Sequence, residues 1–195
     1  MKVVVFPGVG ANGVRPSYEY FLDKITKGLN CEGEIFVWEH GHSHPAITLP
    51  LKATREFVCE VLLDFQHVVV HALETKVPVA DIYIGHSAGS ILALAQAKPA
   101  VIFASPASLV ELIDNKGQEG IKYFCDIMKG NDSNILNIIN KYDVLAYPLQ
   151  WSNVENYEYS GGKFWPLTYF PVTAHVHYWR SDTVIKKIIE TVKSW

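Results

Sequence analysis

An excess of charge of one sign is missing from this sequence, because 17 basic residues nearly balance 20 acidic ones and leave a net charge of −3. This balance gives no electrostatic reason to expect a nucleic acid or an anionic membrane surface as a partner. Long apolar runs are missing too, and no stretch approaches the roughly 20 residues of a membrane-spanning helix. The apolar run in residues 1–8 is too short for a signal peptide, so we interpret it as a first strand.

Cysteine is scarce. The three residues Cys31, Cys59 and Cys125 are widely spaced and odd in number, which argues against a disulfide framework and a cysteine-based metal site. We expect reduced thiols in a cytoplasmic protein. Apolar residues, by contrast, make up 49% of the 195 residues. That is enough for the core of a single domain spanning 1–195.

Short apolar segments alternate with amphipathic segments along the chain. We predict strands at 3–6, 35–38, 82–84, 100–104, 134–139 and 154–159. We predict helices from an N-cap at Ser17 to Leu29, over about 50–76, over 90–98, and from an N-cap at Ser181 to about Lys193. This alternation predicts an α/β fold, a three-layer α/β/α sandwich with a mostly parallel sheet of about six strands.

The most informative motif is Gly-His-Ser-Ala-Gly at 85–89. It follows a predicted strand and precedes a helix rich in small residues, a setting typical of a nucleophile elbow. The two glycines are needed because strand and helix pass so close together that a side chain would collide. We therefore predict that Ser87 is a nucleophile. The alternative is a tight strand–helix turn without chemistry.

A nucleophilic serine needs an acid that orients its base. Asp143 comes just after the predicted strand 134–139, on the edge of the sheet where Ser87 is expected. Asp132 and Asp126 are the alternatives, and a plain turn-forming aspartate is the other interpretation of Asp143.

The base has two candidates, His175 and His177, in what we predict to be an extended loop before the last helix. His175 and His177 are two residues apart, so the periodicity of an extended chain cannot separate them. Only one of them can reach Ser87. We prefer His175.

A serine mechanism also needs backbone donors for the oxyanion. One donor is expected from Ala88, the residue after the nucleophile. The other is expected from Val9, because Gly8 and Gly10 let the loop after the first strand turn its amides towards an anion.

Aromatic residues crowd the segment before the two histidines and follow them directly. Half of them are expected to be core, and the others suit an apolar acyl or aromatic substrate of modest size. The residues that we predict to contact substrate are Gly8, His86, Trp165 and Tyr178.

Taken in order, these features resemble the α/β-hydrolase superfamily over nearly the whole chain. The Ala-His-Val-His-Tyr-Trp sequence at 174–179 is similar to the small lipase-like branch, where the catalytic histidine precedes a Tyr-Trp pair. The resemblance implies that Ser87, His175 and Asp143 hydrolyse a small-molecule carboxylic ester through an acyl-enzyme, without a cofactor. It also implies a short cap-like insertion around 107–133.

Two other interpretations stay open. The first is different acyl-transfer chemistry, by a thioesterase, peptidase or acyltransferase, which sequence cannot separate from an esterase. The second is a non-catalytic binding member of the same fold.

A metal site is less favoured than a solvated or substrate-contacting loop. His40, His42 and His44 alternate in one loop, but alternate residues of an extended segment do not close a tetrahedral site. His67 and His71 have helical spacing but lack the glutamate of a zinc-protease motif. We therefore predict no metal.

Overall fold

Six strands of the chain pair into one parallel sheet. The computed structural model describes residues 1–8, 15–38, 71–108, 122, 125–127, 130, 132–143, 146–161 and 171–195. Its strands are β1 (Lys2–Phe6), β2 (Glu32–Ile35), β3 (Ile82–His86), β4 (Ala100–Phe103), β5 (Ile135–Asn140) and β6 (Val154–Tyr159). They lie in the order β2-β1-β3-β4-β5-β6, and every neighbouring pair is parallel. The helices whose two ends lie within these residues are α1 (Arg15–Leu29), α2 (Ala88–Leu94), α3 (Pro171–Val176) and α4 (Asp182–Ser194), with a 3-10 turn at His177–Arg180.

The sheet is covered on both faces. Successive side chains of β1 point to opposite faces. Val3 and Val5 pack with α1 and α4, whereas Val4 and Phe6 pack with α2. All four are fully buried, as expected for a parallel strand with helices on both sides. The predicted α/β/α sandwich is confirmed.

The predicted bounds of the second strand, 35–38, were wrong, because β2 spans Glu32–Ile35. It lies at the end of the sheet beside β1, and its residues are exposed or half-buried. An edge strand tolerates polar residues, so the apolar run after it was a misleading signal. In that run Trp38 is buried and donates its Nε1–H to the carbonyl of Pro7 at 3.3 Å.

The start of α1 is also earlier than predicted. The helix begins at Arg15, so Ser17 lies in its first turn and is not the N-cap. The Ser17 hydroxyl instead accepts a hydrogen bond from Nε of Arg180 at 3.1 Å. At α4 the predicted N-cap is confirmed, since Ser181 Oγ accepts the N–H of Val184 at 3.4 Å.

The helix after Ser87 begins at Ala88 and ends at Leu94, not at the predicted 90 and 98. It starts early because the turn at Ser87 passes directly into the helix. It ends early because Ala97 has a φ of 50°, in the left-handed region that ends a helix.

The segment with the two candidate histidines is helical rather than an extended loop. Pro171 opens α3, and proline is favoured at a first helical position because its φ is already helical.

Two predicted segments lie partly outside the described residues. In the predicted helix over 50–76, residues 71–74 are helical, and 50–70 are outside the described residues. In the region of the predicted cap-like insertion, 109–121 are also outside them.

The topology fixes where a site can form. β1 lies between β2 and β3, so the chain leaves β1 to one side and returns on the other. Ligands of open α/β sheets bind at such a switch point, beyond the carboxyl ends of the strands. The segments that follow β1 and β3 there contain Gly8 and Ser87. No helix within the described ranges is long and apolar enough to span a bilayer.

Candidate active site

Ser87 occupies a strained turn between β3 and α2. Its φ is 52° and its ψ is −127°, a conformation that non-glycine residues rarely adopt and that is typical of functional sites. A Cβ on Gly85 would lie 2.5 Å from the carbonyl oxygen of Gly89, and a Cβ on Gly89 would lie 2.6 Å from the carbonyl oxygen of Pro7. The close passage of strand and helix therefore requires both glycines.

Hydrogen bonds fix this turn to the end of β4. The N–H of Ser87 donates to the carbonyl of Phe103 at 3.1 Å, and the hydroxyl of Ser90 donates to the carbonyl of Ser87 at 2.5 Å. Ser90 also lies 2.7 Å from the hydroxyl of Ser105. Because the proton of Ser90 is used on Ser87, Ser105 must be the donor of that bond. Ser105 in turn accepts the N–H of Ala107 at 3.1 Å.

Asp143 and His175 lie side by side. Nδ1 of His175 is 3.1 Å from Oδ2 and 3.2 Å from Oδ1 of Asp143. The side chain of Asp143 is 1% exposed and that of His175 is 19% exposed. A buried carboxylate on Nδ1 fixes the tautomer of the ring and leaves Nε2 as the nitrogen for proton exchange.

His86, the neighbour of Ser87, connects the nucleophile turn to α3. Its Nε2–H donates to the backbone carbonyl of His175 at 2.7 Å, and the two ring centroids are 4.8 Å apart. Burial, and next the nearby His175, lower the pKa of His86 to about 3. The ring is therefore neutral at physiological pH and remains a donor to that carbonyl.

Two buried residues at the carboxyl end of the sheet, Tyr178 and Asn140, make contacts with this pair that the sequence did not predict. The hydroxyl of Tyr178 accepts the N–H of Asn140 at 2.8 Å and lies 3.1 Å from Oδ2 of Asp143. The side-chain amide of Asn140 donates to the carbonyls of Ala174 at 3.3 Å and Gly161 at 3.4 Å. The available signal was a polar residue, Asn140, at the carboxyl end of a strand whose other residues, apart from Asn137, are apolar.

The alternative acids and base have different surroundings. Asp126 and Asp132 are exposed, whereas Asp143 is buried against His175. His177 lies over the ring of Tyr159, with ring centroids 6.3 Å apart, and burial lowers its pKa.

The remaining predicted residues form two groups, those that the structure describes and those outside the described residues. Gly8 packs against Ser87, and Ala88 is the first residue of α2. Val9 and Trp165 lie outside the described residues. So do His40, His42, His44 and His67, while His71 stacks on Trp38 with centroids 5.9 Å apart. In the described part of the chain, no group of three or more histidine, cysteine, aspartate or glutamate residues could hold a metal ion.

No protein-family model matches this sequence, and no curated protein sequence matches it. Solved structures do match. A provisionally described hydrolase of the α/β superfamily from Xanthomonas campestris is 15% identical, with a TM-score of 0.49 over 100% of this chain and 99% of its own. The peroxisomal α/β-hydrolase Lpx1 from Saccharomyces cerevisiae is 13% identical, with a TM-score of 0.47 over 99% and 76%.

A third structure, a provisionally described cell surface hydrolase from Lactobacillus plantarum, is 10% identical, with a TM-score of 0.41 over 100% of this chain and 90% of its own. At these identities and TM-scores the likeness carries no weight, and a function has to be argued from the site. The α/β-hydrolase superfamily is named for two of these three structures.

Proposed function

We propose that this protein is a serine hydrolase that cleaves a carboxylic ester through an acyl-enzyme on Ser87. The observation that carries the proposal is the strained backbone of Ser87, with φ 52° and ψ −127°, at the carboxyl edge of the sheet. Such strain persists only where the surrounding structure enforces it, and it clusters at active sites. The buried pair of His175 and Asp143 lies at the same edge.

The proposed steps follow from the chemistry of these groups. The hydroxyl of Ser87 attacks the ester carbonyl, and Nε2 of His175 takes its proton and later gives it to the leaving alcohol. Asp143 holds the imidazole in the required tautomer and stabilises the imidazolium that forms. Water then attacks the acyl-enzyme by the same proton transfers in reverse, which releases the acid. No cofactor enters these steps.

The oxyanion would be held by backbone N–H groups. Ala88 is the first residue of α2, and the first N–H groups of a helix have no acceptor within that helix. The second donor remains Val9, on the loop after β1. The close packing of Gly8, the residue before Val9, on Ser87 supports this prediction.

The substrate, the residues that line the site, the domain organisation and the cellular location are further predictions within this proposal. The substrate is a small-molecule ester, and Gly8, His86 and Trp165 line its site. Tyr178 is buried beside the acid, which favours a role other than contact with substrate. A single domain over 1–195, a cap-like segment around 107–133 and a cytoplasmic location also remain predictions.

Hydrolysis of p-nitrophenyl esters from acetate to palmitate tests the proposal. We expect the wild type to be active and Ser87→Ala and His175→Gln to be inactive. His177→Gln is the matched control, because it changes the neighbouring histidine, and it should keep its activity. Activity that survives in Ser87→Ala contradicts the serine mechanism.

Thioesters and amides with the same acyl groups separate the related chemistries. A preference for the thioester would assign a thioesterase, and a preference for the amide would assign a peptidase or amidase. If a folded wild type neither turns over any of them nor reacts with a fluorophosphonate, the remaining interpretation is a binding protein on this fold.

A further inference from the structure

The hydroxyl of Tyr178 bridges the backbone of Asn140 and the carboxylate of Asp143. It accepts the Asn140 N–H at 2.8 Å and lies 3.1 Å from Oδ2 of Asp143. A backbone N–H can only donate and an ionised carboxylate can only accept, so the proton of Tyr178 must point at Asp143. The same oxygen, Oδ2, lies 3.1 Å from Nδ1 of His175.

We propose that Tyr178 is a positioning residue that fixes the carboxylate of Asp143 for His175, an inference that rests on the proposed triad. Two donors converge on Oδ2 of Asp143, the hydroxyl of Tyr178 and the Nδ1–H of His175. The tyrosine bond holds the carboxylate against rotation, so the carboxylate can hold the imidazole in one orientation. Tyr178 thereby acts through Asp143 and does not contact substrate.

Packing makes Tyr178 rigid enough for this role. Its side chain is fully buried. The ring stacks on Phe103 with centroids 5.4 Å apart and meets Tyr159 edge-on at 5.4 Å. Burial, and next the negative charge of Asp143, hold the pKa of Tyr178 well above its ordinary value. The hydroxyl is therefore protonated, and a donor, throughout the pH range in which an esterase would work.

Asn140 extends the same arrangement to the base. Its backbone N–H holds Tyr178, and its side-chain amide donates to the carbonyl of Ala174 at 3.3 Å, directly before His175. Its own carbonyl accepts the N–H of Asp143 at 2.8 Å. The end of β5 therefore fixes the acid, the helix that contains the base, and the tyrosine between them.

The variant Tyr178→Phe removes only the hydroxyl and leaves the ring contacts. Its matched control is Tyr83→Phe, because the hydroxyl of Tyr83 also accepts a backbone N–H, from Ala80 at 3.1 Å, and donates to an oxygen, of Pro78 at 3.0 Å. Those partners precede β3, at the opposite edge of the sheet. We expect Tyr178→Phe to lower kcat by about 10- to 100-fold, since small displacements of reacting groups have effects of this size, with KM unchanged. Tyr83→Phe should leave both constants unchanged.

Proton NMR supplies a readout that needs no substrate. A histidine Nδ1–H bonded to a carboxylate gives a low-field resonance, and we expect this signal of His175 to shift or broaden in Tyr178→Phe but not in Tyr83→Phe. In the wild type, the hydroxyl proton of Tyr178 should show a nuclear Overhauser contact with that Nδ1 proton. This measurement is valid even if the phenylalanine variant fails to fold.

The outcomes separate this inference from the proposed function. If Tyr178→Phe matches Tyr83→Phe in kcat and in the NMR signal, or if the wild-type contact is absent, the positioning role is overturned. Ser87→Ala would still decide the serine mechanism in that case. If instead the NMR prediction holds and Ser87→Ala remains active, the arrangement around Asp143 exists without the proposed chemistry.

Discussion

Gly8 packs so tightly on Ser87 that a Cβ at Gly8 would lie 2.7 Å from the Cβ of Ser87. The same Cβ would lie 3.2 Å from Nδ1 and from the carbonyl oxygen of His86. Real Cβ atoms essentially never lie as close as 2.7 Å to another atom, so the segments after β1 and β3 meet with no space for a methyl group. They meet at the switch point of the sheet, where a ligand is expected.

Gly8→Ala should therefore displace the nucleophile turn. We expect kcat/KM for the best ester to fall by about 100-fold, because a displacement of about 1 Å has this effect on a reacting group. The control is Gly28→Ala, where the added Cβ would meet the flexible end of Ile189 between α1 and α4. That variant should change stability but not kcat/KM, and equal activities of the two variants would contradict the prediction.

The acid is tested by Asp143→Asn. An amide cannot hold the imidazole in the required tautomer, and in the chymotrypsin triad this change lowers kcat by about 10⁴-fold. We expect a loss of at least about 10³-fold here, measured as kcat on the best ester. Asp126→Asn and Asp132→Asn change exposed carboxylates and should leave kcat unchanged. A large loss in either control, with activity kept in Asp143→Asn, would assign the acid elsewhere.

His86 makes the stability depend on pH. Burial and the nearby His175 lower its pKa in the folded protein to about 3, against about 6.5 in an unfolded chain. Between these values the unfolded chain binds a proton that the folded protein does not, so acid favours unfolding. The contribution of His86 to the free energy of unfolding is complete above its pKa in the unfolded chain. It is lost as the pH falls towards its pKa in the folded protein.

Urea unfolding between pH 7 and pH 4 measures this effect. In His86→Gln, which keeps an N–H donor for His175, the free energy of unfolding should fall less steeply with decreasing pH than in the wild type. A remaining slope is expected from His177, whose pKa burial also lowers. Parallel curves for the two proteins would refute the assignment to His86.

Ser90 should matter for both stability and reactivity. Ser90→Ala removes the donor to the carbonyl of Ser87 and the acceptor for Ser105. We expect a loss of about 1–2 kcal/mol in the free energy of unfolding and slower acylation, because the strained turn is held less firmly. Ser194→Ala, which removes a bond to the carbonyl of Thr191 near the chain end, should not change the acylation rate. Equal acylation rates for both variants and the wild type would show that the bond does not hold the nucleophile.

The central part of the fold could be predicted because it depends on local patterns. The strand at Val154–Tyr159 was predicted with its observed bounds, and the N-cap Ser181 was identified from its type and position. Residues 85–89 placed Ser87 at a strand–helix turn because glycine is required where strand and helix pass closely. The order of the remaining features along the chain then favoured Asp143, whereas the preference for His175 over His177 was supported by the resemblance to the α/β-hydrolase superfamily.

What could not be predicted depends on contacts between distant parts of the chain. Tyr178 and Asn140 are 38 residues apart, and nothing in the local sequence shows that they bond. β2 was misplaced because an edge strand does not need the apolar residues that mark a buried one. α3 was missed because six residues are too few to show a helical period.

Fluorophosphonate labelling followed by peptide mass spectrometry is the decisive test of Ser87 as the nucleophile, because the reagent reacts with an activated serine whatever the natural substrate. We expect one adduct per chain, on the peptide that contains Ser87. The adduct should be absent from Ser87→Ala and should form much more slowly in Asp143→Asn. An adduct on another residue, or no adduct in a folded wild type, would contradict it.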